Sequence, residues 1–180
     1  MYYSKHYKSS IGDILLVSDE ENIIGLWFSK HKYMENEIPT DIMEKEDIQP
    51  LQEGVLWLDD YFAGKKPDIS RLPLSPINGT EFRKQIWQLL IEIPYGQVIT
   101  YGQVAKEVAK RMGKARMSAQ AVGGAVGHNP ISIIIPCHRV VGSNGSLTGY
   151  GGGINNKIRL LRHEGIEMNN YYTPKNSTAP

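Results

Sequence analysis

The chain has 180 residues, 41% hydrophobic and 22% charged, which fits an ordinary soluble globular protein of one good-sized or two small domains. A single cysteine excludes an internal disulfide and a cysteine-rich zinc site, and the five histidines (His6, His31, His128, His138, His163) stand at no metal-ligand spacing. The net charge of +1 hides a division: residues 1–79 carry 8 Lys/Arg against 14 Asp/Glu, whereas residues 80–168 carry 11 against 5, so the second half alone suits an anionic partner, unless both are merely solvated surfaces.

In chain order, "MYYSKHYKSS" has no apolar signal core, and runs such as Ile131–Ile135 are far too short to span a bilayer, which predicts a cytoplasmic protein without a membrane partner. "DILLVS" and "NIIGLWFS" read as strands flanking the turn-like Asp19-Glu20-Glu21-Asn22. "PLQEGVLWLDDYFAG" reads as a helix with Leu51, Val55, Leu58 and Phe62 on one face and Gly64 stopping it. The proline-rich "KKPDISRLPLSPING" reads as a linker, placing a domain boundary near residue 79. Thr80 can cap a helix carrying Phe82, Ile86, Leu89 and Leu90, which Pro94-Tyr95-Gly96 ends. Thr100 and Gln103 make a capping-box pattern for a helix with Val104, Val108 and Met112 on one face. Beyond the basic "GKARM", Ser118 can cap a small-residue helix, "AQAVGGAVGHN", completing a helix-turn-helix pattern that any two packed helices could also produce. "ISIII" reads as a strand ending at Pro136, Asn144-Gly145 as a turn, and "NNKIRLLRHEG" as a closing helix. Residues 80–168 thus form a mostly helical second domain, and residues 169–180 read as a disordered tail.

A lone cysteine beside β-branched residues is usually an inert buried thiol. Two features of "ISIIIPCHRV" point the other way: Pro136 cannot donate to a ladder and so puts Cys137 at a strand end, and His138 and Arg139 follow at once, groups able to favour a thiolate. Adjacent side chains point apart, so His138 would reach the thiol only through a water or a sharp bend.

"IPCHRV", preceded by "AVGGAVGHNP" and followed by "TGYGGG" and "HEG", closely resembles the O6-alkylguanine-DNA alkyltransferases, and the resemblance spans the whole chain, most strongly residues 80–168. It implies an α+β protein: a small N-terminal β-sheet unit with a helix, and a mostly helical catalytic domain with a winged-helix-like helix-turn-helix. The implied activity is direct reversal of damage in double-stranded DNA, by a monomer without a cofactor: one alkyl group passes from O6 of guanine to Cys137 and stays there. The implied roles follow by position. Cys137 attacks as thiolate, His138 takes its proton through a water, and Glu164 orients that imidazole. Asn129 ties the turn between the recognition helix and the active-site strand, and the Tyr101 hydroxyl protonates the leaving guanine. The Val140 carbonyl and the Gly151 N–H read the base edge, Tyr150 walls the pocket, Lys157 is a basic residue of the pocket-lining loop and following helix, and Arg139 is a contact to the substrate or DNA. The glycine- and alanine-rich helix, including Ala121 and Gly124, approaches the minor groove closely while the target base is flipped.

Two positions depart from the family pattern. Gly151 replaces a more usual Ser or Ala, and Gln120 stands where an arginine usually fills the gap left by the flipped base. Three rival readings fit less well: a lesion-binding relative, which would lack Cys137; a transcription regulator, which leaves Pro-Cys-His-Arg unexplained; and a cysteine hydrolase, which would turn over.

Overall fold

The computed structural model describes residues 1–175. Its first half is a four-stranded sheet of order β3-β2-β1-β4, formed by β1 (Tyr2–Ser9), β2 (Gly12–Ser18), β3 (Ile23–Phe28) and β4 (Ile42–Glu44). β1 and β2 are an antiparallel hairpin closed by Ser9 opposite Gly12, β3 extends it antiparallel, and β4 adds parallel to β1. β1 and β4 are additions to the expected strands. "YYSKHYKS" interleaves Lys and His with its tyrosines and offers no apolar run, and β4 has only three residues.

All six residues of β3 are buried because the sheet is covered on both faces. Leu16, Ile23 and Leu26 pack with Leu51 and Leu58 of α2 (Gln49–Phe62), whereas Val17, Ile24 and Trp27 pack with Ile38, Ile42 and Met34, the last in the single turn α1 (Met34–Glu37). The buried side of α2 is rotated from the expected one: Leu51, Gly54, Trp57, Leu58 and Tyr61 face inward, while Val55 and Phe62 are half-buried. Gly54 explains the rotation. A Cβ there would stand 2.8 Å from Leu16 Cδ2, so its absence lets the helix lie down on the sheet.

The proline-rich segment after α2 is not a free linker. Ile23 N–H donates to Pro73 O, Ser75 N–H to Ile23 O and Ile77 N–H to Ile24 O, so it runs along the open edge of β3. The second half packs against the same sheet, and one apolar core holds Leu16 and Leu26 together with Ile86, Val104, Val126 and Leu160. This core also takes the Trp87 side chain of α3 (Glu81–Ile91), whose indole N–H donates to Ala125 O at 2.9 Å.

The expected caps form. Thr80 accepts from Arg83 N–H ahead of α3, Thr100 and Gln103 make a reciprocal capping box on α4 (Tyr101–Arg111), and Ser118 accepts from Gln120 and Ala121 N–H ahead of α5 (Ala119–Gly127). α4 and α5 are the helix-turn-helix pair. Beside them β5 (Ile99–Thr100) pairs in parallel with β6 (Val140–Val141), and α6 (Ile154–His163) closes the unit. Among the described residues no helix is long and apolar enough to cross a membrane, and no cluster of three or more His, Cys, Asp or Glu could hold a metal ion.

Two further expectations fail. Ile131–Ile135 is no strand: after a single bridge from Ile131 to Leu26 the chain coils into successive turns, with Ile133 at φ +69. Ile134 N–H bonds back to Ser132 O and Cys137 N–H to Ile135 O, each across one residue, so β-branched composition here reflects burial rather than extension. Residues 169–172, the start of the expected tail, are not loose either. Met168–Asn170 forms a 3₁₀ turn, and Tyr172 bridges to Ser146; residues 176–180 of that expectation lie outside the described residues.

The continuous core has a measurable consequence. Leu26→Ala, at a fully buried position of β3, is expected to cost about 2–5 kcal/mol. Urea unfolding followed by circular dichroism and by tryptophan fluorescence should still give one coincident transition; two separated transitions would show that the halves fold independently.

Candidate active site

Cys137 sits in a 3₁₀ turn, Cys137–Arg139, and is 5% exposed. The turn is reached through Pro136, whose φ of −81 and ψ of 62, with the Cys137 N–H on Ile135 O, make an inverse γ-turn. This bend, rather than a strand end, aims the thiol. Asn129, buried just after α5, holds the bend from the other side. Its Oδ1 accepts from Ile131 N–H at 3.0 Å, and its Nδ2 donates to Ile135 O at 2.8 Å and points at Cys137 Sγ, 3.1 Å away. Burial pushes the Cys137 thiol pKa up, while the Asn129 hydrogen bond and the nearby Lys157 ammonium pull it down.

His138 is completely buried, with Nε2 2.6 Å from Glu164 Oε1. Glu164, at the C-terminus of α6, is held well below the usual carboxylate range by His138 and Arg139, against the opposing effect of its burial. An ionised carboxylate can only accept, so the imidazole proton lies on Nε2 and the lone pair on Nδ1. That Nδ1 is buried without a protein hydrogen-bond partner among the described residues, leaving it able to accept a proton. Burial holds the His138 pKa down, partly offset by Glu164, which favours the neutral ring.

Arg139 corrects an expectation. It is 4% exposed, donates Nε to Glu164 Oε2 and Nη2 to Glu164 Oε1, and gives Nη1 to Ile93 O. With its guanidinium spent on this interior triad it is a structural tie and no surface for DNA. Lys157 is equally buried: Nζ donates to Val140 O at 2.6 Å and Thr148 O at 3.0 Å, and burial lowers its pKa to about 8. The Val140 carbonyl, expected to meet the base edge, therefore already accepts one hydrogen bond and keeps one lone pair.

The other expected residues fall into two groups. Tyr101, first residue of α4, donates its hydroxyl to Thr148 O at 3.0 Å, with Lys157 Nζ 5.9 Å from its ring centroid. Tyr150 is buried edge-on to Phe28, its hydroxyl without a hydrogen-bond partner within 3.5 Å among the described residues. Both tyrosines have pKa values raised chiefly by burial, with the Cys137 thiol adding to it. On α5, Gln120 and Ala121 are exposed and Gly124 half-buried along one side, clear of the catalytic cluster. Lys106, Lys110, Lys114 and Arg116 flank the groove between α4 and α5, which places exposed positive charge beside that helix.

Two residues outside the expected set belong here, both from the first half. Tyr61 of α2 donates its hydroxyl to Glu164 Oε1 at 2.8 Å. His31 is 7% exposed, its pKa lowered to about 4 by burial, and it lies where a Gly151 side chain would be: a Cβ on Gly151 would overlap His31 Nε2. The neighbouring Lys32 N–H donates to Gly151 O, so the strand-to-helix segment after β3 clasps the 148–153 loop. The only sequence sign of either was a tyrosine on a buried helix face and a histidine after a buried strand, both ordinary core features.

Family models match both halves of the chain. The 6-O-methylguanine DNA methyltransferase ribonuclease-like domain covers residues 1–76, and the DNA binding domain of the same family covers residues 81–166. The chain is 44% identical over 167 residues to a methylated-DNA–protein-cysteine methyltransferase of Haemophilus influenzae, spanning 92% of this chain and 87% of that one. It is 45% identical over 165 residues to the protein of the same name from Methanosarcina acetivorans, spanning 92% and 99%. A crystal structure of Mycobacterium tuberculosis OGT in complex with DNA superposes with a TM-score of 0.78 at 36% identity, covering 91% of this chain and 93% of that one. With the buried Cys137, His138 and Glu164 on a helix-turn-helix unit and both halves matched, the chain belongs to the 6-O-methylguanine DNA methyltransferase family.

Proposed function

We propose that Cys137 accepts a methyl or larger alkyl group directly from O6 of guanine in double-stranded DNA, and that each molecule acts once. The observation that carries this reading is the only thiol of the chain held at 3.1 Å by Asn129, followed in sequence by His138, whose Nε2 lies 2.6 Å from Glu164 Oε1. The thiol gives its proton to His138 Nδ1, directly or through a water. The thiolate attacks the alkyl carbon, a C–S bond forms as the C–O6 bond breaks, and the electron pair leaves on the guanine. Tyr101, whose half-buried hydroxyl keeps its proton in the free protein, donates it to the departing base. The product thioether does not exchange with thiols as a disulfide does, and no second cysteine can take the group on, so the acceptor is not regenerated.

The target atom lies inside a duplex and the thiol inside the protein, so the nucleotide must be flipped to meet it. The exposed face of α5 with Gln120, Ala121 and Gly124 suits close approach to the minor groove, and the lysines beside it suit phosphates. Gln120 takes the place of the flipped base, by volume and planarity rather than by charge. The division near residue 79 separates an acidic scaffold unit from a basic DNA-binding unit, and the cytoplasm is the compartment that keeps such a lone thiol reduced.

Intact-protein mass spectrometry after mixing with O6-methylguanine duplex should show one added methyl, located on the peptide containing Cys137 and never exceeding one per chain. Cys137→Ala should abolish it while retaining lesion binding; repeated turnover on excess DNA would contradict the mechanism. Asn129→Ala removes the hydrogen bond that favours thiolate, so the thiol pKa rises further and the pH-rate profile should move to higher pH. Single-turnover transfer at neutral pH should fall roughly 10- to 100-fold, the worth of one hydrogen bond to a charged group. Gln120→Gly should slow transfer from duplex DNA, where holding a base out of the stack costs a few kcal/mol, and spare transfer from free O6-benzylguanine. Equal duplex rates for parent and variant would assign the wedge elsewhere.

A further inference from the structure

Glu164 receives five hydrogen bonds: Oε1 from Tyr61 Oη, His138 Nε2 and Arg139 Nη2, and Oε2 from Arg139 Nε and Gly96 N–H. A carboxylate offers about four lone-pair directions, so three donors on Oε1 compete for two. Arg139 is anchored independently by Ile93 O, which leaves Tyr61 and His138 as the pair whose shares of Oε1 trade against each other. Tyr61 cannot drift out of this contest. Its ring is fully buried, stacked on Trp57 at 5.4 Å and 10°, edge-on to Tyr95 at 5.8 Å, and beside His163, whose Nε2 lies 2.8 Å from Tyr61 O. Packing this strict would hold a phenylalanine equally well, so the hydroxyl is there for the carboxylate.

We propose that Tyr61 is a positioning residue for the transfer reaction: the N-terminal unit supplies its hydroxyl to Glu164 Oε1 and thereby sets how strongly the carboxylate holds the His138 imidazole. The proposal rests on the reading of His138 as the group that takes the thiol proton. A donor on Oε1 draws electron density from the oxygen that His138 faces, weakening the attraction that would turn the ring into a permanent imidazolium. Burial raises the Tyr61 pKa, with Glu164 adding to it, so the hydroxyl acts only as a donor at any working pH. The charged and titratable groups around the pair are few. His138 faces Glu164, Arg139 and Lys157 besides Cys137, and Glu164 also lies near Tyr95 and Tyr150. None of these others is a neutral donor to Oε1. The first half of the chain is thereby part of the proton machinery and not only a support for it.

Tyr61→Phe and replacement of Tyr61 by 3-fluorotyrosine alter the donor in opposite directions at nearly constant shape. Each protein, full length, is titrated by following the His138 ring resonances in NMR, and its single-turnover transfer from O6-methylguanine duplex is measured against pH. Without the hydroxyl, Glu164 attracts the proton on His138 more strongly, so the His138 midpoint and the acid limb of the rate profile should move up by about half to one pH unit, the effect of one ordinary hydrogen bond. With the more acidic fluorophenol both should move down. Ring titrations that stay put in both variants overturn the proposal and leave Tyr61 as packing, whatever happens to the rate. Ring titrations that move as expected while the acid limb does not follow support Tyr61 as the regulator of His138 and instead refute His138 as the proton acceptor. If Tyr61→Phe does not fold, the fluorotyrosine protein alone decides, by whether its His138 midpoint falls.

Discussion

A carboxylate with no solvent-exposed side-chain surface is the constraint on which this protein is built. An unpaired charge at the position of Glu164 would cost several kcal/mol, so the fold must bring donors to it from wherever it can. They come from α2, from the turn at Gly96, and from the two residues after the cysteine. These segments are far apart in sequence, and satisfying one anion fixes them relative to one another. The catalytic turn is therefore not laid on a finished scaffold. It is one of the walls that make the charge tolerable, and the sheet domain is another.

The thiol lives under opposed demands. Burial protects it from the solvent and from oxidation but disfavours the thiolate that must attack carbon. The protein answers with groups that favour the anion without hydrating it: the Asn129 amide at contact distance and the Lys157 ammonium further off. The same asparagine is what lets β-branched residues coil instead of extending, since it satisfies the backbone groups of Ile131 and Ile135 that a strand would have paired. Ile133 at φ +69 is a conformation that a β-branched residue adopts only under compulsion, and the strain lies four residues from the nucleophile. Turn geometry and nucleophile activation are here two uses of one side chain.

What the sequence disclosed and what it hid divide along physical lines. Thr80, the Thr100–Gln103 box and Ser118 are legible because a cap is settled within four residues, and the helices they start are where those residues place them. β1 was hidden because its lysines and histidine mask the alternation, and Ile131–Ile135 misled because a buried turn and a buried strand want the same side chains. At the site, Cys137, His138, Asn129 and Glu164 were marked by the resemblance of their motifs, and the fold gathers them. The charge of Arg139 suggested DNA, whereas only the burial of its partner carboxylate could show that it turns inward. Tyr61 and His31 carried no local mark at all, since their significance comes from contacts with residues 103 and 120 positions away.

The meeting of His31 with Gly151 has an evolutionary consequence. The space that a Ser or Ala side chain would take on the 148–153 loop is filled by an imidazole from the other half of the chain. Neither position is free to drift alone. A larger residue at 151 needs His31 to shrink or swing away first, and loss of His31 from the glycine background leaves a hole beside a loop that lacks the side chain to fill it. Mutational paths through this protein must therefore cross the pair in a preferred order, and substitutions tolerated on one relative's loop need not be tolerated on this one.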